Sequence, residues 1–195
     1  TLARALAAHW SAQPKFAPSL WVPEYGRTYT AQKWADAIAR AQAGGNPPPA
    51  LESLVWTTPE FEHIARIQER DTDAAARAGG PIVIGDTDAL ATAVWHERYL
   101  GRPAPTVLAI ARRSPRPALY LVTDDAGVPY EQDGLRDPEG AGKRAAMNAR
   151  CLALAAGEHI PAVLMRGPPA ARLDAANDAI QQAMQRAWSF TAPFG

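Results

Sequence analysis

The residues of this chain best suited to chemistry are Asp86 and Asp88, in the run Ile82-Val83-Ile84-Gly85-Asp86-Thr87-Asp88. Three consecutive β-branched apolar residues predict a strand buried on both faces, as in parallel sheets. Ligands of open α/β sheets bind at the carboxyl ends of the strands. Two carboxylates at such an end suit a Mg²⁺ ion or a sugar hydroxyl. The same residues also fit a plainer arrangement. In it, Asp88 caps the helix beginning Ala89-Leu90-Ala91, and Asp86 sits in the turn.

Three more charged segments follow predicted strands. Glu24-Tyr25-Gly26-Arg27 follows Leu20-Trp21-Val22, a polar segment from Asp124 to Arg144 follows Ala118-Leu119-Tyr120-Leu121-Val122, and Arg166-Gly167 follows Ala162-Val163-Leu164-Met165. In a parallel sheet all four segments share one edge. Glu24 suits a general base that takes a proton from a substrate hydroxyl, or else a surface partner of Arg27. Tyr25 or Trp21 suits stacking on a flat ring, or core packing. Gly134 gives Asp133-Gly134-Leu135-Arg136 a turn. Arg136, Lys143 and Arg144 form a cationic cluster suited to phosphate charge on a lid, or a solvated loop. Gly140-Ala141-Gly142-Lys143-Arg144 mimics the tail of a phosphate-binding loop. Such a loop needs Gly where Asp137 stands and Ser or Thr where Arg144 stands, so it is not one.

These segments need a scaffold, and the apolar pattern supplies it. Leu2, Leu6 and Trp10 recur at helical spacing, and no capping residue precedes them, so the chain is read as starting inside a helix. Thr58-Pro59-Glu60 predicts a helix start, with Phe61, Ile64, Ala65 and Gln68 on one face and Gly79-Gly80 as its stop. Further helices are predicted from Asp88, from Val107 to Arg112, from Arg144 to Ala156, and over a last segment placing Leu173, Ile180, Met184 and Trp188 on one face. Residues 28–56 are less regular. They contain Gly44-Gly45-Asn46-Pro47-Pro48-Pro49 and are expected to form a loop-rich, substrate-side insertion. Alternating strands and helices predict an α/β fold: a mostly parallel sheet with helices on both faces.

The 195 residues suit one domain. A formal net charge of +0 gives no electrostatic case for nucleic acid or an anionic membrane. No apolar run approaches the roughly 20 residues of a membrane span. Cys151 is the single cysteine and falls with Met147 and Leu154 on one helical face, so core packing in a reducing, cytoplasmic setting is expected. His9, His63, His96 and His159 lack the spacing of a zinc site.

The ordered set of segments resembles a known family. It comprises Trp21-Val22-Pro23-Glu24-Tyr25-Gly26-Arg27, then Phe61-Glu62-His63-Ile64-Ala65-Arg66-Ile67-Gln68, then Asp86-Thr87-Asp88 with Tyr99-Leu100-Gly101, then Val128-Pro129-Tyr130 and Asp133-Gly134-Leu135-Arg136. It is similar to the ribosylnicotinamide kinase domain of NadR-type proteins. The resemblance implies a P-loop kinase fold that uses ATP and Mg²⁺ to phosphorylate the 5′-hydroxyl of nicotinamide riboside, a step of NAD synthesis. It implies that a first strand and a phosphate-binding loop lie upstream of Thr1, where an adenylyltransferase domain is also possible. By the same resemblance Glu24, Asp86 and Arg136 would be catalytic, and Asp86 or Asp88 would serve Mg²⁺ or substrate, with Asp86 assigned to the metal. Tyr25, Arg27, Asp88, Tyr130 and Asp133 would hold the nucleoside, and Arg144 and Arg166 the ATP. The 124–144 segment would be the lid. Tyr130 stands where the family often has Trp, and 31–56 is longer than usual. Two other readings remain open: a kinase for another nucleoside or small metabolite, and a nucleotide-binding regulatory module without turnover.

Overall fold

A computed structural model describes residues 1–124 and 141–188. Its helices are α1 (Leu2–Ser11), α2 (Tyr25–Ala43), α3 (Thr58–Ala78), α4 (Ala89–Leu100), α5 (Pro105–Ala111), α6 (Ala141–Gly157) and α7 (Pro169–Trp188). The strands are β1 (Leu20–Val22), β2 (Val83–Gly85), β3 (Tyr120–Thr123) and β4 (Ala162–Met165). Every strand pair is parallel and joined by helical crossovers, which is the α/β organisation the sequence predicts.

The described strands form two pairs rather than one continuous sheet. β1 pairs with β2, with Leu20 opposite Val83 and Val22 opposite Gly85. β3 pairs with β4, with Tyr120 opposite Ala162 and Thr123 opposite Met165. β2 and β3 are not bonded to each other, and both line a cleft of about 2340 Å³. Ile82, Val83 and Ile84 are consequently half-buried, not buried on both faces as their β-branched run predicts. Among the described residues, one edge of β2 has no neighbouring strand to cover it.

Helix α1 joins the two halves. Leu6 and Trp10 are each 1 % exposed and form a core with Met165 of β4 and Ala176 of α7. Ile82 and Ile84 from the β2 side and Leu121 from β3 pack on that core. A second core gathers Phe61 and Ala65 of α3, Ala89 and Ala93 of α4, and Ala104 and Val107 at α5. Alanines at these contacts let the three helix backbones approach closely.

Thr1 caps α1, its Oγ1 accepting the Arg4 N–H at 3.3 Å, so the helix starts at a capping residue and not inside its span as expected. Two further expectations change. The 28–56 insertion is not loop-rich over its first half, because residues 25–43 form the single helix α2. No residue of α2 is fully buried, so it lacks the apolar stripe that makes a helix legible. Polar and aromatic contacts hold it instead. Tyr29 Oη donates to Glu60 Oε1, Lys33 pairs with Glu60 and donates to the Val55 carbonyl, and Trp34 Nε1 donates to the Pro49 carbonyl at 3.0 Å. The second correction is one residue long. Thr57, not Thr58, caps α3, in a capping box with Glu60: the Thr57 N–H donates to Glu60 Oε2 at 2.8 Å.

Candidate functional site

The carboxyl ends of β1 and β2 meet where the spacing predicts. The Asp86 N–H donates to the Val22 carbonyl at 2.9 Å, carrying the ladder one residue past β2. This places Asp86 beside the chain that leads to Glu24. Glu24 is the residue before α2, but its side chain does not cap that helix. Its Oε1 lies 3.7 Å from where a Cβ on Gly26 would stand, so the carboxylate folds back over that glycine. Among the described residues the Asp86 carboxylate makes no hydrogen bond or ion pair.

Asp88 takes the plainer role that its position allows. Its Oδ1 accepts the Ala91 N–H at 2.8 Å, and its carbonyl accepts the Thr92 hydroxyl at 2.8 Å. Glu69 Oε1 accepts the Ala89 N–H at 2.9 Å, so two carboxylates serve the start of α4. Burial pushes the Asp88 carboxyl up to about 7; the nearby Glu69 charge adds to this, and the Ala91 and Leu90 N–H groups oppose it.

That shift has a sign. The folded protein favours protonated Asp88, so its contribution to stability is complete below the ordinary value of 3.8 and is lost as pH rises through about 7. Asp88→Asn keeps an oxygen for Ala91 and never ionises. The variant is expected to match the parent near pH 4 and to exceed its stability by about 1–2 kcal/mol at pH 8. The gain is below the full conversion of about 1.4 kcal/mol per unit because Asp88 is only half-buried, at the wall of an open cleft. Urea denaturation at the two pH values measures it. A constant difference across that range would exclude the protonated Asp88.

The cleft is lined by Glu24, Arg27, Asp86 and Asp88 together with Thr1, Trp21, Glu69, Cys151 and Arg172. The structure thus brings together four of the residues singled out from sequence. Tyr25 is placed differently. Its ring packs against Tyr29 and His63, with Oη 3.3 Å from His63 Nε2, on the α2–α3 joint. Trp21, 37 % exposed with the Arg4 guanidinium over its ring, is the aromatic that lines the cleft. Arg166 Nε pairs with Asp124 at 3.2 Å at the exits of β4 and β3. Arg144 lies in the first turns of α6 and is not among the cleft's lining residues. Tyr130, Asp133 and Arg136, and most of the 124–144 lid segment, lie outside the described residues.

Three residues were not given a site role from sequence: Gln68, Glu69 and Thr87. Gln68 carried a signal. A glutamine on the apolar face of α3 is a buried polar group that needs partners. Cys151 does reach the cleft wall, and burial, then the Asp88 charge, pushes its thiol up to about 11, so it is poorly suited to act as a nucleophile.

No group of three metal-ligating side chains occurs among the described residues. This donor set still fits Mg²⁺, which is usually held by one or two carboxylates plus substrate phosphates and water. Asp86 offers such an oxygen. No helix among the described residues is long and apolar enough to cross a membrane.

Parallel strands and helical crossovers, with acidic strand ends at a cleft beside the start of α1, define an α/β domain of the P-loop kinase-like class. The family comparison agrees. Residues 1–172 match the model of the AAA domain, and the chain belongs to that family, whose activities are of the ATPase or kinase kind. No curated protein matches the chain.

Proposed function

We propose that this domain transfers the γ-phosphoryl group of ATP to the 5′-hydroxyl of nicotinamide riboside, giving nicotinamide mononucleotide for NAD synthesis. The observation that carries the phosphotransferase part is the meeting of Glu24, Arg27 and Asp86 at one wall of the cleft between β2 and β3. The choice of nucleoside rests on the ordered motifs of the sequence.

Glu24 accepts the proton of the attacking hydroxyl, and Trp21 and Arg27 line the acceptor's side of the cleft. Asp86 would hold Mg²⁺, which neutralises charge on the phosphates when bound. Asp88, committed to α4 through one oxygen, retains the other for a ribose hydroxyl. Arg136 and Arg144 would close over the phosphates. Most of such catalysis is positioning and charge stabilisation. Phosphate-binding amides would be needed at the α1 N-terminus, which borders the cleft through Thr1 and Leu2.

The test is direct. The intact gene product, incubated with MgATP and nicotinamide riboside, should form nicotinamide mononucleotide, separable by chromatography. Turnover of deoxynucleosides in its absence would move the assignment to another acceptor. If the gene encodes no Gly-x-x-x-x-Gly-Lys-Ser/Thr ahead of Thr1, the protein is a nucleotide-binding regulator instead.

A companion prediction concerns the 195 residues alone. They contain no Gly-x-x-x-x-Gly-Lys-Ser/Thr sequence, so they lack the amides and lysine that provide most phosphate recognition. Calorimetry with MgATP should give no micromolar binding. A micromolar Kd would mean that the nucleotide is held by other groups of the cleft.

A further inference from the structure

Gln68 lies on α3 beside Ile64 and Ala65 and is 1 % exposed. An amide so placed must satisfy both its oxygen and its NH₂ group inside the protein. Its Oε1 accepts the Tyr25 N–H at 2.8 Å, and its Nε2 donates to the Pro23 carbonyl at 3.3 Å. These two backbone groups flank Glu24. They also fix the amide's orientation, since a flip would set oxygen against oxygen and N–H against N–H. The Thr87 hydroxyl, between Asp86 and Asp88, lies 3.5 Å from the same Oε1. One residue further on, Glu69 holds the Ala89 N–H. A single stretch of α3 therefore grips the exit of β1 and the exit of β2 together.

We propose that Gln68 is a positioning residue: its amide clamps the peptides on either side of Glu24 and so sets where that carboxylate stands relative to Asp86. The catalytic consequence rests on the kinase reading, while the clamp does not. Glu24 and Asp86 sit on separate loops, 62 positions apart in the sequence. The Asp86–Val22 ladder bond joins the two loops to each other, and Gln68 ties both of them to α3. Displacing a reacting group by ~1 Å costs up to about 10²-fold in rate.

Two measurements test the proposal. In the 195-residue chain the Tyr25 amide should exchange with solvent slowly. In Gln68→Met, which keeps the volume and removes both polar groups, it should exchange at least about tenfold faster while α4 amides keep their protection. In the intact gene product Gln68→Met should lower kcat for the nucleoside by about 10–100-fold, with KM for ATP within about twofold. Arg77→Ala, on the exposed side of α3 in an ion pair with Asp73, should match the parent. A rapidly exchanging Tyr25 amide in the parent, or unchanged kinetics in Gln68→Met, overturns the proposal. So does equal loss of ATP affinity and turnover, the mark of a general structural role. A parent protein inert toward every nucleoside defeats the kinase reading and the catalytic half of the proposal, and the exchange experiment then decides the clamp.

Discussion

Glu24→Gln is expected to lower turnover of nicotinamide riboside by about 10²–10⁴-fold in the intact protein, the usual worth of a general base, and to leave ATP binding unchanged. Gln preserves the shape of the side chain and removes its ability to take a proton. The substitution does not unseat α2, because Glu24 makes no capping hydrogen bond there. Its backbone neighbours remain clamped by Gln68, so the loop keeps its path. The acceptor's KM should move little, since the lost interaction belongs to the transition state. Asp86→Asn gives a contrasting pattern. On the proposed assignment the variant lacks the carboxylate oxygen that would serve Mg²⁺, so turnover should fall and the Mg²⁺ concentration needed for half-maximal rate should rise. If Glu24→Gln shifts the Mg²⁺ requirement and Asp86→Asn does not, the two assignments must be exchanged. Full activity in Glu24→Gln removes the general base from the mechanism, leaving positioning and charge stabilisation as its source.

The strand ends were legible because short apolar runs bounded by breakers carry strong local signals. Leu20-Trp21-Val22 and Ala162-Val163-Leu164-Met165 form the expected strands residue for residue. Asp88 was ambiguous for a physical reason: an aspartate that caps a helix and one that meets a ligand occupy the same place after a strand. Only the Ala91 N–H at 2.8 Å shows that one oxygen is used as a cap. Helix α2 was hidden because its stability comes from hydrogen bonds to residues 20 or more positions away, through Lys33 to Val55 and Glu60 and Tyr29 to Glu60. Such partners leave no periodic trace. Tyr25 was misdirected for the same reason: nothing local says that its ring turns to His63 on another helix. Gln68 could be placed on a buried face, but which backbone groups would satisfy its amide depends on how β1 and β2 dock on α3.

The largest effect on stability should come from Trp10→Ala, expected to cost about 3–5 kcal/mol, enough to unfold many domains of this size. Trp10 is 1 % exposed and meets Phe16 edge-on at 4.9 Å. Its importance exceeds its area because of where it sits. The described strands form two separate pairs, and no strand bonds β2 to β3. The core around Leu6 and Trp10, which takes Ile82 and Ile84 from one pair and Met165 and Leu121 from the other, does what a continuous sheet would otherwise do. A cavity there weakens the packing inside each half and the junction between them. Trp10→Phe separates volume from polarity. Among the described residues the buried Trp10 Nε1–H has no hydrogen-bond partner, so removing it relieves an unsatisfied donor while the ring still fills most of the space. That variant should lose no more than about half of what alanine loses. Urea denaturation of both, monitored by far-UV circular dichroism, gives the comparison. Equal losses for Phe and Ala would show that the indole N–H is satisfied in solution. A loss of under ~1 kcal/mol for alanine would mean that α1 does not hold the two strand pairs together.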